Sequence, residues 1–184
     1  MDLPAILKHD LDRVVAVCDV DSRRMAHAQK FVEEHYNKQK GGEKAVAVKS
    51  YADFRELIKD PSIDAVAIST PDHWHSEPVI AAALAGKDIY VQKPLSMTIV
   101  EGREVSDTVT AKGRAFQIGS QQRSTAQFRT ACELVRNGRI GKVQTVEVGL
   151  PTDPGGDVEP EMSVPPNLNF EMWLGCTPMA RYTE

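Results

Sequence analysis

The stretch from Asp64 to Ser96 limits what this chain can fold into more than any other part of it. It contains an apolar run at Ala65–Ser69, a polar turn, an alanine-rich segment at Glu77–Ala85 that Gly86 ends, and a second apolar run at Ile89–Val91. A strand, a helix and another strand in this order predict a parallel βαβ unit with a right-handed crossover. The polar residues that follow each strand then lie at the carboxyl-end edge of the sheet, where open α/β folds bind their ligands.

The same alternation of apolar runs and helix-length segments continues on both sides of this stretch. Two capping boxes, Ser50–Asp53 and Thr98–Glu101, are expected to start helices. Strands that alternate with helices of this length predict an α/β fold, with a doubly wound parallel sheet and helices on both of its faces. The further strands are expected at Arg13–Val20, Ala45–Val48 and Ala115–Ile118, and the further helices from about Arg23 to Lys38, over Tyr51–Lys59, from Thr98 to about Lys112 and over Ala126–Arg136.

The pattern changes after residue 140, where a second domain is expected to begin. Val143–Val148 alternates apolar and polar residues, as a half-exposed antiparallel strand does. Residues 151–166 contain five prolines and predict a long irregular loop. Phe170–Gly175 predicts a short helix in which Trp173 packs the second domain. We therefore divide the chain into an α/β domain over residues 1–140 and the beginning of an α+β domain over residues 141–184.

Composition excludes several classes of function. The net charge of −4 gives no indication of binding to nucleic acid or an acidic membrane, which would need a basic patch, and no apolar run approaches the ~20 residues that span a bilayer. The three cysteines show neither zinc nor CxxC spacing, and Cys18, inside an almost continuously apolar run, is expected to be buried. The N-terminus shows no secretory signal. If the natural start lies upstream, the location of the protein is not determined by this observation.

Asp19 ends the first predicted strand. An acid at this place in dinucleotide-binding folds accepts hydrogen bonds from the adenosine ribose, although aspartate is also favoured as a helix N-cap or turn residue. Arg23 and Arg24 follow and would suit a 2′-phosphate, but on a helix they are more often solvated. Because Asp19 would repel a 2′-phosphate, NAD is favoured over NADP.

The turn after the predicted central strand, Thr70–His75, is suited to presenting groups to a ligand, since Pro71 fixes its backbone. Asp72, His73 and His75 could also suggest a metal site. No further ligand with metal-site spacing is present, so contact with a cofactor is the favoured interpretation and no metal is expected.

Lys93 stands between Gln92 and Pro94 at the end of a buried strand. A lysine there is costly unless it faces a cleft, so a functional role is favoured over a strand-end lysine that only reaches solvent. Its ammonium group would stabilise negative charge that develops on a substrate oxygen. The polar residues after the last strand are placed at the same edge and are candidates for substrate contact or are ordinary turn residues: Gln121, Gln122 and Arg123.

Four segments together resemble the glucose–fructose oxidoreductase / inositol dehydrogenase (Gfo/Idh/MocA) family. They are VVAVCDVD at 14–21, STPDHWH at 69–75, AGKDIYVQKPLS at 85–96 and GSQQRS at 119–124. The resemblance implies a Rossmann domain that binds NAD or NADP and an oxidoreductase that moves hydride between nicotinamide and a sugar or polyol, in a homo-oligomer. It implies that Lys93 is catalytic. The cofactor-binding residues would be Asp19, Ser69, Thr70, Pro71, His75, Gln92, Lys93 and Pro94.

Three departures from the family pattern bear on function. Gln92 stands where glutamate is common, which removes a charge that would tune Lys93. The glycine-rich phosphate loop is absent, and no Asp-x-x-x-His pair that would supply a general base occurs between Val143 and Glu184. We therefore expect a fragment truncated at both ends that is inactive alone. The alternative is a non-catalytic nucleotide- or ligand-binding module or scaffold with the same fold.

Overall fold

The computed structural model describes residues 3–9, 11–39, 47–152 and 155–183. Seven α-helices and five strands lie in these ranges. Short 3₁₀ turns occupy Asp72–Trp74 and Gln121–Ser124. In chain order the elements are α1 (Leu3–Ile6), β1 (Ala16–Cys18), α2 (Ser22–Gln39), β2 (Lys49–Tyr51), α3 (Phe54–Lys59), β3 (Ala65–Ile68), α4 (Ser76–Leu84), β4 (Asp88–Val91), α5 (Ile99–Lys112), β5 (Phe116–Ile118), α6 (Ala126–Arg136) and α7 (Phe170–Leu174).

All strand pairs are parallel, which confirms the predicted α/β class. β1 pairs with β2, and β4 lies between β3 and β5. In the usual doubly wound order 3-2-1-4-5-6, β2-β1 would be strands 3-2 and β3-β4-β5 would be strands 4-5-6. No described residue supplies strand 1, which would lie between β1 and β3. That the chain lacks the first strand and its glycine loop stays a prediction.

Helices α4 and α5 cover one face of the three-stranded sheet and form the main core. Val79 and Val105 are completely buried against Val91. On the opposite face, Ala65 and Ala67 are exposed. Burying one face of the sheet gives its strands the alternation of buried and exposed residues that sheets with a single covered face show.

A smaller core lies beneath α1 and α2. Leu7, Val32 and Val48 pack together there, and the hydroxyl of Tyr36 accepts a hydrogen bond from the amide of Val14 at 2.8 Å. This core holds β1 and β2 in place. Among the described helices, none is both long and apolar enough to cross a membrane.

The burial expected for β1 and β3 is wrong. β1 is shorter than predicted, its residues are half-buried or exposed, and Cys18 is exposed rather than buried. β3 buries only Ile68. The apolar residues of both strands suggest burial on both faces, but burial also depends on what packs against each face.

The second strand and its capping box were also misplaced. Residues 45 and 46 of the predicted strand lie outside the described residues. Pairing with β1 begins where the amide of Lys49 reaches the carbonyl of Val15 at 3.0 Å. Since Ser50 belongs to this strand, it does not cap a helix; Asp53 does so, accepting a hydrogen bond from the amide of Arg55 at 2.9 Å. The second capping box, Thr98–Glu101, is confirmed.

The antiparallel strand predicted at Val143–Val148 is not formed. These residues are exposed and have no regular structure. A strand needs a neighbour for its backbone hydrogen bonds, and none of the described residues pairs with this one. The short helix predicted at Phe170–Gly175 is present as α7.

Candidate functional site

Three neighbouring strands end together and bring three predicted segments to one edge. Ile68, Val91 and Ile118 lie side by side in the register. The amide of Gln92 donates to the carbonyl of Ile68 at 2.9 Å, and the amide of Gly119 donates to the carbonyl of Val91 at 2.7 Å. The turn after β3, the Lys93–Pro94 dipeptide after β4 and the Gln121–Ser124 turn after β5 therefore begin at a common edge of the sheet.

The strand-end turn, Thr70–His75, is a compact structure made by its own hydrogen bonds. The amide of Trp74 donates to the carbonyl of Pro71 at 2.8 Å, and the hydroxyl of Thr70 donates to the carbonyl of Trp74 at 3.2 Å. Thr70, Pro71 and Asp72 are exposed. The Thr70 hydroxyl keeps lone pairs with which it can accept a hydrogen bond from a ligand.

His75 is the last residue of this turn, and its ring lies on the buried side of the turn. Its side chain is only 1% exposed. Nδ1 contacts the carbonyl oxygen of Pro94, and Nε2 lies 2.9 Å from the carbonyl oxygen of Thr70. The ring is thus held between two segments that sequence analysis assigned to the site.

The two histidines of the turn do not converge on a common point. His73 Nε2 lies 2.8 Å from the carbonyl oxygen of Trp173, whereas both nitrogens of His75 face other carbonyls. Across the described ranges, no three His, Cys, Asp or Glu side chains cluster in a way that would hold a metal ion. This geometry argues against the interpretation of Asp72, His73 and His75 as metal ligands.

Lys93 presents its side chain to solvent at the end of β4. Its amide donates to Gln92 Oε1 at 3.3 Å. Within the described part of the chain, no acceptor lies within hydrogen-bond or ion-pair distance of its ammonium group. Lys93 is therefore a cation at the strand-end edge that is available to a ligand.

The start of the loop after β5 packs closely against β4. A Cβ atom on Gly119 would lie 2.7 Å from Tyr90 Oη and 2.9 Å from Gln92 Oε1. Glycine leaves room for this approach, which brings Gln92 against the backbone of the next strand; any larger residue would require the Tyr90 and Gln92 side chains to shift. Gln121, Gln122 and Arg123 follow in an exposed 3₁₀ turn, and their assignment to substrate stays a prediction.

Asp19 follows β1 and makes a turn contact of the kind that its position suggested, while its role at a ribose stays a prediction. Its Oδ1 accepts a hydrogen bond from the amide of Asp21 at 2.9 Å, as in a turn. Of the residues that the structure describes, none bonds its Oδ2. That oxygen can still accept a hydrogen bond from a ribose hydroxyl.

Asp21 caps α2 and is held by a later part of the chain. Its Oδ1 accepts from the amides of Arg23 at 2.8 Å and Arg24 at 3.2 Å. Desolvation alone would raise the pKa of Asp21, but the side-chain hydrogen bond from Asn167 and those two amides outweigh it and lower the pKa. The lowered pKa favours the carboxylate form of Asp21.

Residues Asn167–Cys176, which we call the strap, lie across the ends of β1 and β3. The sequence predicts the helix in the strap but not the contacts of the strap. The amide of Ser22 donates to the carbonyl of Asn167 at 2.9 Å, and that of Asn169 donates to the carbonyl of Val20 at 3.0 Å. Trp74 bonds the strap from the other side. The contacts join a segment of the predicted second domain to the strand ends of the first.

The donor set fits two ends of a dinucleotide but not its middle. Asp19 suits the ribose, while the exposed Thr70 hydroxyl and Lys93 ammonium suit the nicotinamide end. The pyrophosphate needs a glycine-rich turn at a helix N-terminus. No G-x-G-x-x-G occurs in the 184 residues.

Comparison with known proteins gives a consistent result. Residues 1–120 match the Gfo/Idh/MocA family, described as an oxidoreductase family with an NAD-binding Rossmann fold. The chain is 34% identical to myo-inositol 2-dehydrogenase of Thermotoga maritima over 141 residues, which cover 76% of the chain and 42% of that protein. It is 38% identical to scyllo-inositol 2-dehydrogenase (NAD(+)) of Bacillus subtilis over 87 residues, 47% of the chain and 25% of that protein.

A solved structure is similar in the same region. The crystal structure of myo-inositol 2-dehydrogenase from Lactobacillus plantarum superposes with a TM-score of 0.59 at 28% identity, covering 74% of the chain and 37% of that protein. The chain thus spans less than half of the length of each of these three relatives.

Proposed function

The chain belongs to the Gfo/Idh/MocA family of oxidoreductases, and on that premise we propose that it forms the cofactor side of an NAD-dependent dehydrogenase acting on a polyol or sugar. The observation that carries the proposal is the exposed, unpaired ammonium of Lys93 at the edge where three parallel strands end. Ligands of open α/β sheets bind at this edge. The relatives named above act on inositols, which supports a polyhydroxylated substrate.

In this proposal, side chains of the chain bind the cofactor and the substrate and orient them. Bound NAD supplies the hydride acceptor. Lys93 donates hydrogen bonds to the reacting hydroxyl and stabilises the negative charge that develops on its oxygen as the proton leaves. Thr70 accepts a hydrogen bond at the nicotinamide end, and Asp19 accepts from the ribose. Arg24 lies 4.0 Å from the carboxylate of Asp21, so its charge is partly balanced, and NAD is favoured over NADP.

The two histidines of the strand-end turn are not free to act as a general base beside Lys93. His75 is the last histidine in the sequence, and its ring is occupied by two backbone carbonyls. The base and the pyrophosphate cradle are needed for turnover but are not recognised in these 184 residues. We therefore propose that residues 1–184 bind the cofactor weakly and do not turn over substrate.

Tryptophan fluorescence tests cofactor binding directly. Both tryptophans of the chain, Trp74 and Trp173, lie at the strand ends, so bound NADH would accept their excitation energy. We expect energy transfer to NADH with a Kd of ~0.1–1 mM, weaker transfer to NADPH, and loss of transfer in Asp19→Ala. Absence of transfer at millimolar NADH would refute the proposal, and equal binding of NADPH would refute the cofactor preference.

Activity is measured on residues 1–184 and on the longest reading frame that contains them. We expect polyol-dependent reduction of NAD only in the longer protein, where Lys93→Met should reduce kcat by at least about 100-fold. Cofactor binding without reduction of any polyol or sugar tested in the longer protein would instead favour the non-catalytic ligand-binding module.

A further inference from the structure

His75 is the most buried titratable side chain among the described residues, and the proposed chemistry gives it no role. It is 1% exposed, compared with 8% for Lys87. Burying a polar side chain is costly unless its polar atoms are bonded. The two groups that it bonds therefore indicate what it does.

Both ring nitrogens face groups that can only accept. Nδ1 contacts the carbonyl oxygen of Pro94, and Nε2 lies 2.9 Å from the carbonyl oxygen of Thr70. A neutral imidazole has one N–H and bonds one carbonyl at a time, whereas a protonated ring bonds both. An N–H on Nδ1, which the protonated ring and one of the two neutral tautomers carry, connects the strand-end turn to the residue that follows Lys93.

The contact with Pro94 completes the restraint on the backbone around Lys93. Before Lys93, the amide of Gln92 is bonded to the end of β3. After it, the amide of Met97 donates to Glu101 Oε2 at 2.9 Å. Pro94 lies between these two fixed points and has no N–H to donate. Its carbonyl is its only backbone hydrogen-bonding group, and His75 contacts it.

We propose that His75 is a positioning residue that fixes the backbone from which Lys93 reaches the bound nicotinamide and substrate. The role of Lys93 in this statement rests on the proposed function. The restraint itself is a property of the chain. Removing the Nδ1 donor frees the segment from Lys93 to Thr98, while the core beneath α4 stays packed.

Two substitutions separate the two contacts of the ring. The amide nitrogen of asparagine lies near the position of histidine Nδ1, and that of glutamine lies near Nε2. His75→Asn therefore keeps a donor for Pro94, and His75→Gln keeps a donor for Thr70. Val79→Ala is the matched control, because Val79 is buried in α4, the helix that His75 precedes, and its side chain takes no part in this hydrogen-bonded link.

Amide hydrogen exchange of peptides covering residues 92–98 and 76–84 gives the first readout. We expect His75→Gln to accelerate exchange in 92–98 by at least about tenfold relative to His75→Asn, with 76–84 equal in the two variants. Val79→Ala should accelerate 76–84 instead. Equal exchange in 92–98 for the two histidine variants, or faster exchange confined to 76–84, would overturn the proposal.

Energy transfer from tryptophan to NADH gives the second readout. His75→Gln should weaken NADH binding by about tenfold more than His75→Asn does, because only Asn keeps the contact with Pro94. If wild type shows no transfer while the exchange pattern is as expected, the proposed function fails and the restraint on Lys93 is supported. If wild type binds NADH and both variants bind it equally, the positioning role fails and the proposed function stands.

Discussion

The indole Nε1 of Trp74 donates a hydrogen bond to the carbonyl of Met172 at 2.8 Å, joining the strand-end turn to a helix 98 positions later. The same group lies 3.1 Å from the carbonyl of Trp173, which His73 Nε2 also contacts. The last carbonyls of a helix have no partners within it. Side chains of the turn thus cap α7, and α7 in return fixes the outer side of the turn.

Gly175→Ala is expected to detach the strap. Gly175 has a φ of 56°, and a Cβ atom there would lie 2.5 Å from the Trp74 ring. We expect the backbone strain and this clash together to cost about 2–4 kcal/mol of local stability. Tryptophan emission should shift to the red, and amide exchange should accelerate over residues 167–176.

Gly113→Ala controls for the backbone strain alone. Gly113 has a φ of 59° and no atom within 4 Å of the added Cβ. We expect Gly113→Ala to lower stability by about 1 kcal/mol and to leave the tryptophan emission unchanged. If the two variants affect the emission equally, the contact between Gly175 and Trp74 does not hold the strap.

The local part of the fold could be predicted because the signals that define it are local. The Thr98–Glu101 capping box gives both reciprocal hydrogen bonds, and Gly113 ends α5 in the left-handed conformation. The βαβ order also put Lys93 at the correct edge, because parallel strands end together. These features depend on a few neighbouring residues and on chain order.

The errors and omissions concern long-range contacts. The apolar pattern of Val143–Val148 carries no information about whether a neighbouring strand is present. Cys18 was expected to be buried because its run is apolar, but burial depends on what covers each face. Neither the contact of His75 with Pro94 nor the position of the strap has a sequence pattern, since each joins residues that are far apart in the chain.

Lys87→Met is expected to destabilise the fold although no acid in the described ranges pairs with Lys87. Its Nζ is buried and donates to the carbonyls of Asp60 at 2.7 Å and Ile63 at 2.6 Å. The substitution leaves both carbonyls unpaired, and we expect a loss of about 2–3 kcal/mol in urea unfolding. Lys59→Met, which breaks only an exposed ion pair with Glu56 at 2.7 Å, should cost less than about 1 kcal/mol. Equal losses of stability in Lys87→Met and Lys59→Met would contradict a stabilising role for the buried hydrogen bonds of Lys87.

Stability should fall in acid partly through Asp60. Its carboxylate accepts hydrogen bonds from Lys49 Nζ at 2.6 Å, Ser62 Oγ at 2.7 Å and Tyr51 Oη at 2.8 Å. The bond from Lys49 comes first among the causes that hold the pKa of Asp60 well below its usual range. A lowered folded-state pKa contributes stability that is present above the unfolded pKa of about 3.9 and is lost as pH falls through the folded value.

Asp60→Asn is therefore expected to lower the urea midpoint at pH 7. The difference from wild type should shrink as pH falls below about 4, because the unfolded wild-type chain then binds a proton at Asp60 that the folded chain binds only at lower pH. Asp107→Asn is the control, since its exposed pair with Arg103 is 3.8 Å apart, and it should shift the midpoint little at any pH. A difference between Asp60→Asn and wild type that is constant from pH 7 to pH 3 would contradict the assignment.

Gly119→Ala should disturb the strand-end edge beside Lys93, and the disturbance should depend on Tyr90. The added Cβ would lie 2.7 Å from Tyr90 Oη and 2.9 Å from Gln92 Oε1, so both side chains must move. We expect a loss of about 1–3 kcal/mol in urea unfolding and weaker energy transfer to NADH.

Removing the Tyr90 hydroxyl tests whether this contact is the cause. Tyr90 is 37% exposed, so Tyr90→Phe alone should cost less than about 1 kcal/mol. The double variant, Gly119→Ala with Tyr90→Phe, lacks the clash between the added Cβ and Tyr90 Oη. We expect it to recover at least about 1 kcal/mol of the stability lost in Gly119→Ala, as a favourable coupling energy. Gly149→Ala, where no atom lies within 4 Å of the added Cβ, should change neither stability nor NADH binding. Additive effects of Gly119→Ala and Tyr90→Phe would show that the close approach of β4 and the loop after β5 does not set the geometry of this edge.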